Sequence, residues 1–157
     1  MSDAVTHVYE VYIRTTPEQL WDAIVDAEKT RQYFFGCAVT SDWTAGAQVT
    51  YAMEDGYVPF DATIEAIEPQ KRLVHSFRAK SEDGNSYAAD PPSLVTYEIE
   101  GLGETCLLRL THEHFAGETA TAKSTHHGWP VIVSGLKTLL ETGEPLKIER
   151  KEEARVS

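Results

Sequence analysis

The stretch from Gly128 to Gly143, GWPVIVSGLKTLLETG, constrains this chain most. Trp129, Ile132, Val133, Leu136, Leu139 and Leu140 recur at i, i+3, i+4 and i+7, so they form one apolar stripe on a helix. The residues from Cys37 up to this region read as short strands. A long helix that follows many strands has to bury its stripe against a sheet. Gly128 and Gly135 thin that face. A sheet closed over such a helix leaves a hollow, and a hollow is where a small ligand can go. The helix is expected over Glu118–Thr142, with a start or kink near Thr125–Gly128 because Pro130 has no N–H to donate. Pro145 bars its continuation.

Residues 6–14 alternate, with His7, Tyr9, Val11 and Ile13 on the more apolar side of a strand. Thr16-Pro17-Glu18-Gln19 then spells a helix start. Thr16 serves as N-cap, Pro17 suits the first turn and Gln19 can close a capping box. Leu20, Trp21, Ile24 and Val25 give this short helix its buried face. A second short helix is expected over Asp26–Phe34, ended by Gly36. Six strands follow: Ala38–Asp42, Ala47–Ala52, Tyr57–Ile67, Arg72–Ala79, Leu94–Glu100 and Thr105–Glu113. The turn signals between them, such as Asp55-Gly56 and Gly101-Leu102-Gly103, are close enough in sequence to imply antiparallel hairpins. Lys80–Pro92 is polar and reads as a long surface loop with little apolar area to bury.

The order is one strand, two short helices, six strands and one long helix. It predicts an α+β fold in which six or seven antiparallel strands wrap around the C-terminal helix. A length of 157 residues suits one domain. We expect it over residues 1–146, with a charged tail at 147–157. The net charge of −11 disfavours nucleic acid and anionic membrane surfaces, both of which need clustered Lys and Arg. No apolar run approaches the roughly 18 residues of a membrane span, so no membrane insertion is expected. The N-terminus shows no basic region followed by an apolar stretch. Cys37 and Cys106 read as reduced thiols of a cytoplasmic protein, with a bridge between them as the alternative.

Several segments match a known pattern in order. They are Thr16 to Ala23, Ser41 to Gly46, Ile64 to Val74, Ser93 to Glu100, Thr105 to His112, and Gly128-Trp129 with Leu136 to Glu141. Together they resemble the helix-grip superfamily of START-like and polyketide-cyclase-like domains (SRPBCC). More narrowly, they resemble the bacterial proteins grouped with the activator of the heat-shock-protein-ninety ATPase. The resemblance implies a cavity between sheet and helix. It does not imply a function, because such folds use one cavity for many ligands and several chemistries. The co-chaperone's additional domain has no counterpart in these residues, so a ligand-binding domain is favoured over a chaperone activator.

The candidate ligand-binding residues are Tyr33, Phe34, Tyr51, His75, Phe77, Tyr97, His112, Trp129, Val133 and Leu136. Tyr33 and Phe34 lie where the cavity of such a fold opens. Tyr51, Phe77, Tyr97 and Trp129 offer apolar area and stacking. His75 shares a strand face with Leu73 and Phe77, and His112 shares one with Leu108 and Leu110. Either imidazole can orient a carbonyl or phenol. His114, nearer the strand end, is expected near solvent. His112 and His114 lack the further ligands a zinc site needs, so no metal is expected, and no cofactor motif is present. There is no nucleophile elbow. The leading reading is binding of a hydrophobic or aromatic small molecule or lipid, without catalysis. The alternatives are a cyclase or hydrolase using His75 or His112, and a co-chaperone-like interaction domain. A homodimer is left open.

Overall fold

The computed structural model describes residues 4–149 except 82, 84 and 85. The chain runs β1 (Val5–Ile13), α1 (Pro17–Val25), α2 (Ala27–Tyr33), β2 (Ala38–Ser41), β3 (Gln48–Ala52), β4 (Phe60–Glu68), β5 (Arg72–Ala79), β6 (Ser93–Leu102), β7 (Thr105–His114) and α3 (Ala120–Thr142). The strands form one antiparallel seven-stranded sheet in the order β1-β7-β6-β5-β4-β3-β2. This is the helix-grip arrangement, with two short helices after the first strand and a long C-terminal helix. Of the expected tail, residues 147–149 are exposed and without regular structure, and 150–157 lie outside the described residues.

Alternation sets the inward face. Phe60, Ala62 and Ile64 on β4, Leu73, His75 and Phe77 on β5, Val95 and Tyr97 on β6, and Leu108, Leu110 and His112 on β7 are all buried. Helix α3 returns Trp129, Ile132, Leu136 and Leu139 to the same core. It packs against β1 and α2, at one side of the sheet. The loop-like reading of residues 80–92 needs refinement. Lys80 bridges to Tyr87, Ala88 N donates to Ala79 O at 3.0 Å, and the Arg78 guanidinium lies 4.1 Å over the Tyr87 ring. The polar segment therefore folds back along the end of β5.

Local chemistry explains most boundaries. Thr16 Oγ1 accepts from Gln19 N at 3.1 Å, as its N-cap position requires. The Gln19 side chain does not close a capping box; its Oε1 accepts from Thr15 Oγ1 instead. Asp26 caps α2 rather than belonging to it, accepting from Lys29 N at 3.1 Å. The long helix starts at Ala120, ten residues before Pro130, with Thr119 as N-cap, so no helix start occurs at Thr125–Gly128. Pro130 has no N–H to give the His126 carbonyl, and the Tyr9 hydroxyl on β1 lies 3.4 Å from that oxygen and 2.8 Å from His126 Nδ1. Gly143, in the left-handed region at φ 81°, ends the helix, its N–H donating to Leu139 O.

Candidate functional site

Helix α2 holds one wall of the site. Buried Thr30 donates to Ala27 O and accepts from Val39 N at 3.0 Å, tying the helix to β2. The Tyr33 hydroxyl donates to Ala23 O at 2.7 Å. On the opposite side Gly135 lets α3 come close, because a Cβ there would stand 3.1 Å from Tyr33 Cβ. The chain then turns through Phe35 at φ 51°, which leaves that ring half exposed beside α3. Phe34 turns inward and stacks on Tyr51, with ring centroids 4.3 Å apart.

Between these residues, the outer ends of β3, β4 and β5, and the first half of α3 lies a cavity of about 850 Å³. Its inner surface is aromatic and aliphatic: Phe34, Phe60, Phe77, Trp129 and Ile132, with Met53 and Phe35 toward the opening. Phe60 and Phe77 stack at 4.2 Å. The polar residues are Tyr57, Lys80, Ser81, Asp90, Thr121, Ser124, Thr125 and His127. Asp90 Oδ2 accepts from both the backbone N and the Oγ1 of Thr121, at 2.8 and 2.6 Å, which pins the segment before β6 to the start of α3.

The sequence-derived candidates divide into two layers. Phe34, Phe77 and Trp129 line the cavity. Tyr51, His75, Tyr97 and His112 are buried behind that lining, Tyr33 and Leu136 are buried in the neighbouring core, and Val133 is half buried on α3. On β5 the cavity reaches inward to Phe77 and stops one alternation short of His75. Sequence reasoning left out Phe60, Met53, Lys80, Asp90, Thr121 and Ser124. Phe60 carried a usable signal, since it alternates with Ala62 and Ile64. The polar residues carried none, because their approach depends on the segment after β5 folding onto α3.

The buried histidines are held neutral. His112 Nδ1 accepts from Trp129 Nε1 at 2.9 Å, which leaves its Nε2 to donate to Ser93 Oγ at 2.7 Å; Ser93 Oγ lies 3.4 Å from Phe77 O, its acceptor. Burial, followed by the neighbouring His114, pushes the His112 pKa down to about 2. His75 Nδ1 donates to Ser76 O at 2.8 Å, while its buried Nε2 has no partner among the described residues. Burial lowers His75 to about 4. Among the described residues neither imidazole has a carboxylate hydrogen-bond partner. Burial pushes the Tyr51 hydroxyl up to about 12.

His114 differs from expectation. It is buried, because β1 continues alongside it and pairs Val5 with His114. Its ring stacks 3.8 Å from His112 and lies 5.5 Å from His7, which in turn stands 4.4 Å from His126. The four rings form a row from the core to the seam between β1 and α3. Among the described residues no group of three or more His, Cys, Asp or Glu side chains is arranged to hold a metal. Cys37 and Cys106 are both buried and free, so the bridge alternative does not hold.

No helix among the described residues is long and apolar enough to cross a membrane. Known structures share the fold. Protein MLL2253 from Mesorhizobium loti is 22% identical, with a TM-score of 0.69 over 87% of this chain and 96% of that one. The Aha1 dimer from Colwellia psychrerythraea gives 16% identity and a TM-score of 0.70 over 88% and 98%. CalU16 from Micromonospora echinospora gives 20% and 0.70 over 91% and 78%. No curated protein sequence gives a significant match. The family model for Activator of Hsp90 ATPase homolog 1-like protein matches residues 14–141, most of the chain. With this fold and this match, the chain belongs to the family of Activator of Hsp90 ATPase homolog 1-like proteins.

Proposed function

We propose that this domain binds a hydrophobic or aromatic small molecule in the cavity between the sheet and the first half of α3. The observation that carries this reading is an aromatic-lined hollow of about 850 Å³ that opens between the sheet and α3. That volume falls in the usual range for small-molecule sites. Phe34, Phe60, Phe77 and Trp129 supply stacking surface and apolar area, and the groups behind them hold those rings in place. A cyclase or hydrolase reading is less well supported. The two histidines that would serve it are set behind the aromatic lining, one of them fully hydrogen-bonded and both without a carboxylate.

Calorimetric titration with lipids and with flavonoid-like and polyketide-like compounds tests the proposal. We expect at least one class to bind with Kd below about 100 μM, roughly −5.5 kcal/mol. Gly128→Leu, which puts a side chain into the hollow from α3, should abolish that binding while the fold is retained. Absence of binding across the panel, or binding unaffected by Gly128→Leu in a folded variant, overturns it.

A further inference from the structure

The cavity's polar residues differ in whether they are already engaged. Asp90 is tied to Thr121 through two short hydrogen bonds, and its charge sits at the positive end of the α3 dipole. Asp61, beside the cavity, accepts from the Tyr87 hydroxyl. Ser81 Oγ is held by Asp83 and Ser86. Lys80 is the one Lys or Arg among the described residues lining the cavity. Its Nζ is ion-paired with Asp61 Oδ1 at 3.7 Å, a contact longer than a hydrogen bond, and its side chain is 24% exposed. An ammonium beside apolar walls carries three N–H donors, and one long ion pair leaves it able to donate to a second acceptor that carries negative charge.

We propose that the cavity is selective for aromatic acids: the ring system lies against Phe60, Phe77 and Trp129, and the carboxylate accepts from Lys80 Nζ. This rests on the ligand-binding reading above and assigns the ligand's chemical class. Ser124, one turn along α3 from Thr121, faces the same cavity and offers a second hydroxyl donor. The protein's net charge of −11 opposes anion binding at long range, yet at physiological salt that field is screened beyond about 8 Å. Inside the cavity the Asp90 charge is met by the Thr121 donors and the start of α3, and Lys80 Nζ is the cationic donor that an incoming carboxylate meets.

The test titrates the purified protein with 2-naphthoate, its neutral isostere 2-naphthamide and a naphthyl-trimethylammonium cation at pH 7 and 0.15 M salt. The three share a ring and differ in charge. We expect 2-naphthoate to bind roughly five- to tenfold more tightly than 2-naphthamide, the scale of one charge-assisted hydrogen bond at a partly exposed site. Lys80→Gln should bring 2-naphthoate binding down to that of 2-naphthamide, and Lys80→Arg should keep the preference. Equal binding of acid and amide, tighter binding of the cation, or an equal loss of all three in Lys80→Gln overturns the assignment of the acid and leaves the cavity reading standing. Failure of all three to bind the wild-type protein overturns the assignment of the aromatic acid, while the cavity reading is decided by the wider panel above.

Discussion

Trp129 joins the cavity to the interior through one hydrogen bond. Its ring forms part of the lining, and its Nε1 donates to His112 Nδ1 at 2.9 Å. Trp129→Phe keeps an aromatic ring there but removes the only donor that Nδ1 has among the described residues. We expect a loss of roughly 1–3 kcal/mol, the cost of leaving a buried acceptor bare, and urea melts would measure it. A loss near zero would mean that His112 finds another partner, such as water. The inward direction of Trp129 and His112 was legible, since the helical stripe places one and strand alternation the other. Their pairing was not. It depends on the axial position of α3 over β7, which no local pattern encodes. His114 shows the same limit from the other side. Its burial comes from β1 extending alongside it to Val5, so the strand end was no exit from the sheet.

At the scale of elements, α3 carries two glycines with opposite consequences. A Cβ at Gly128 would meet the Phe35 ring at 3.7 Å, an ordinary contact, whereas one at Gly135 would stand 3.1 Å from Tyr33 Cβ and 3.5 Å from Tyr33 Cα. Tyr33 cannot retreat easily because its hydroxyl is bonded to Ala23 O. Helix propensity alone favours alanine at both positions by about 1 kcal/mol. We therefore expect Gly128→Ala to be neutral or stabilising, and Gly135→Ala to be destabilising in thermal melts despite its better propensity. Equal stabilisation by both would place α2 farther from α3 than described. The sequence pattern marked both glycines as thinning one face. Which of them meets backbone and which meets a ring edge was set by the docking of α2.

Across the whole molecule, the neutral burial of histidine sets the response to acid. His75, His112 and His114 all have folded pKa values below the unfolded 6.5, burial being the first cause for each. The folded state then binds fewer protons than the unfolded chain. This contribution to stability is complete above about pH 6.5 and shrinks as pH falls toward about 4, where His75 and His114 would themselves protonate in place. For His75 alone, the loss between pH 7 and pH 5 is on the order of 2 kcal/mol. Urea-derived stability should fall over that interval, and a flat profile would show that these imidazoles are charged or exposed when folded. Periodicity and turn chemistry were enough to define the elements, their order and the inward residues, because a sheet face and a helix stripe repeat along the chain whatever surrounds them. The cavity was decided in three dimensions. Helix α3 packs toward β1 and α2, leaving the outer ends of β3 to β5 uncovered, and the pairing of Tyr87 and Ala88 with the end of β5 brings Asp90 to the same opening as Lys80. Those placements are balances of long-range packing between segments distant in sequence, so single residues carry no local mark of them.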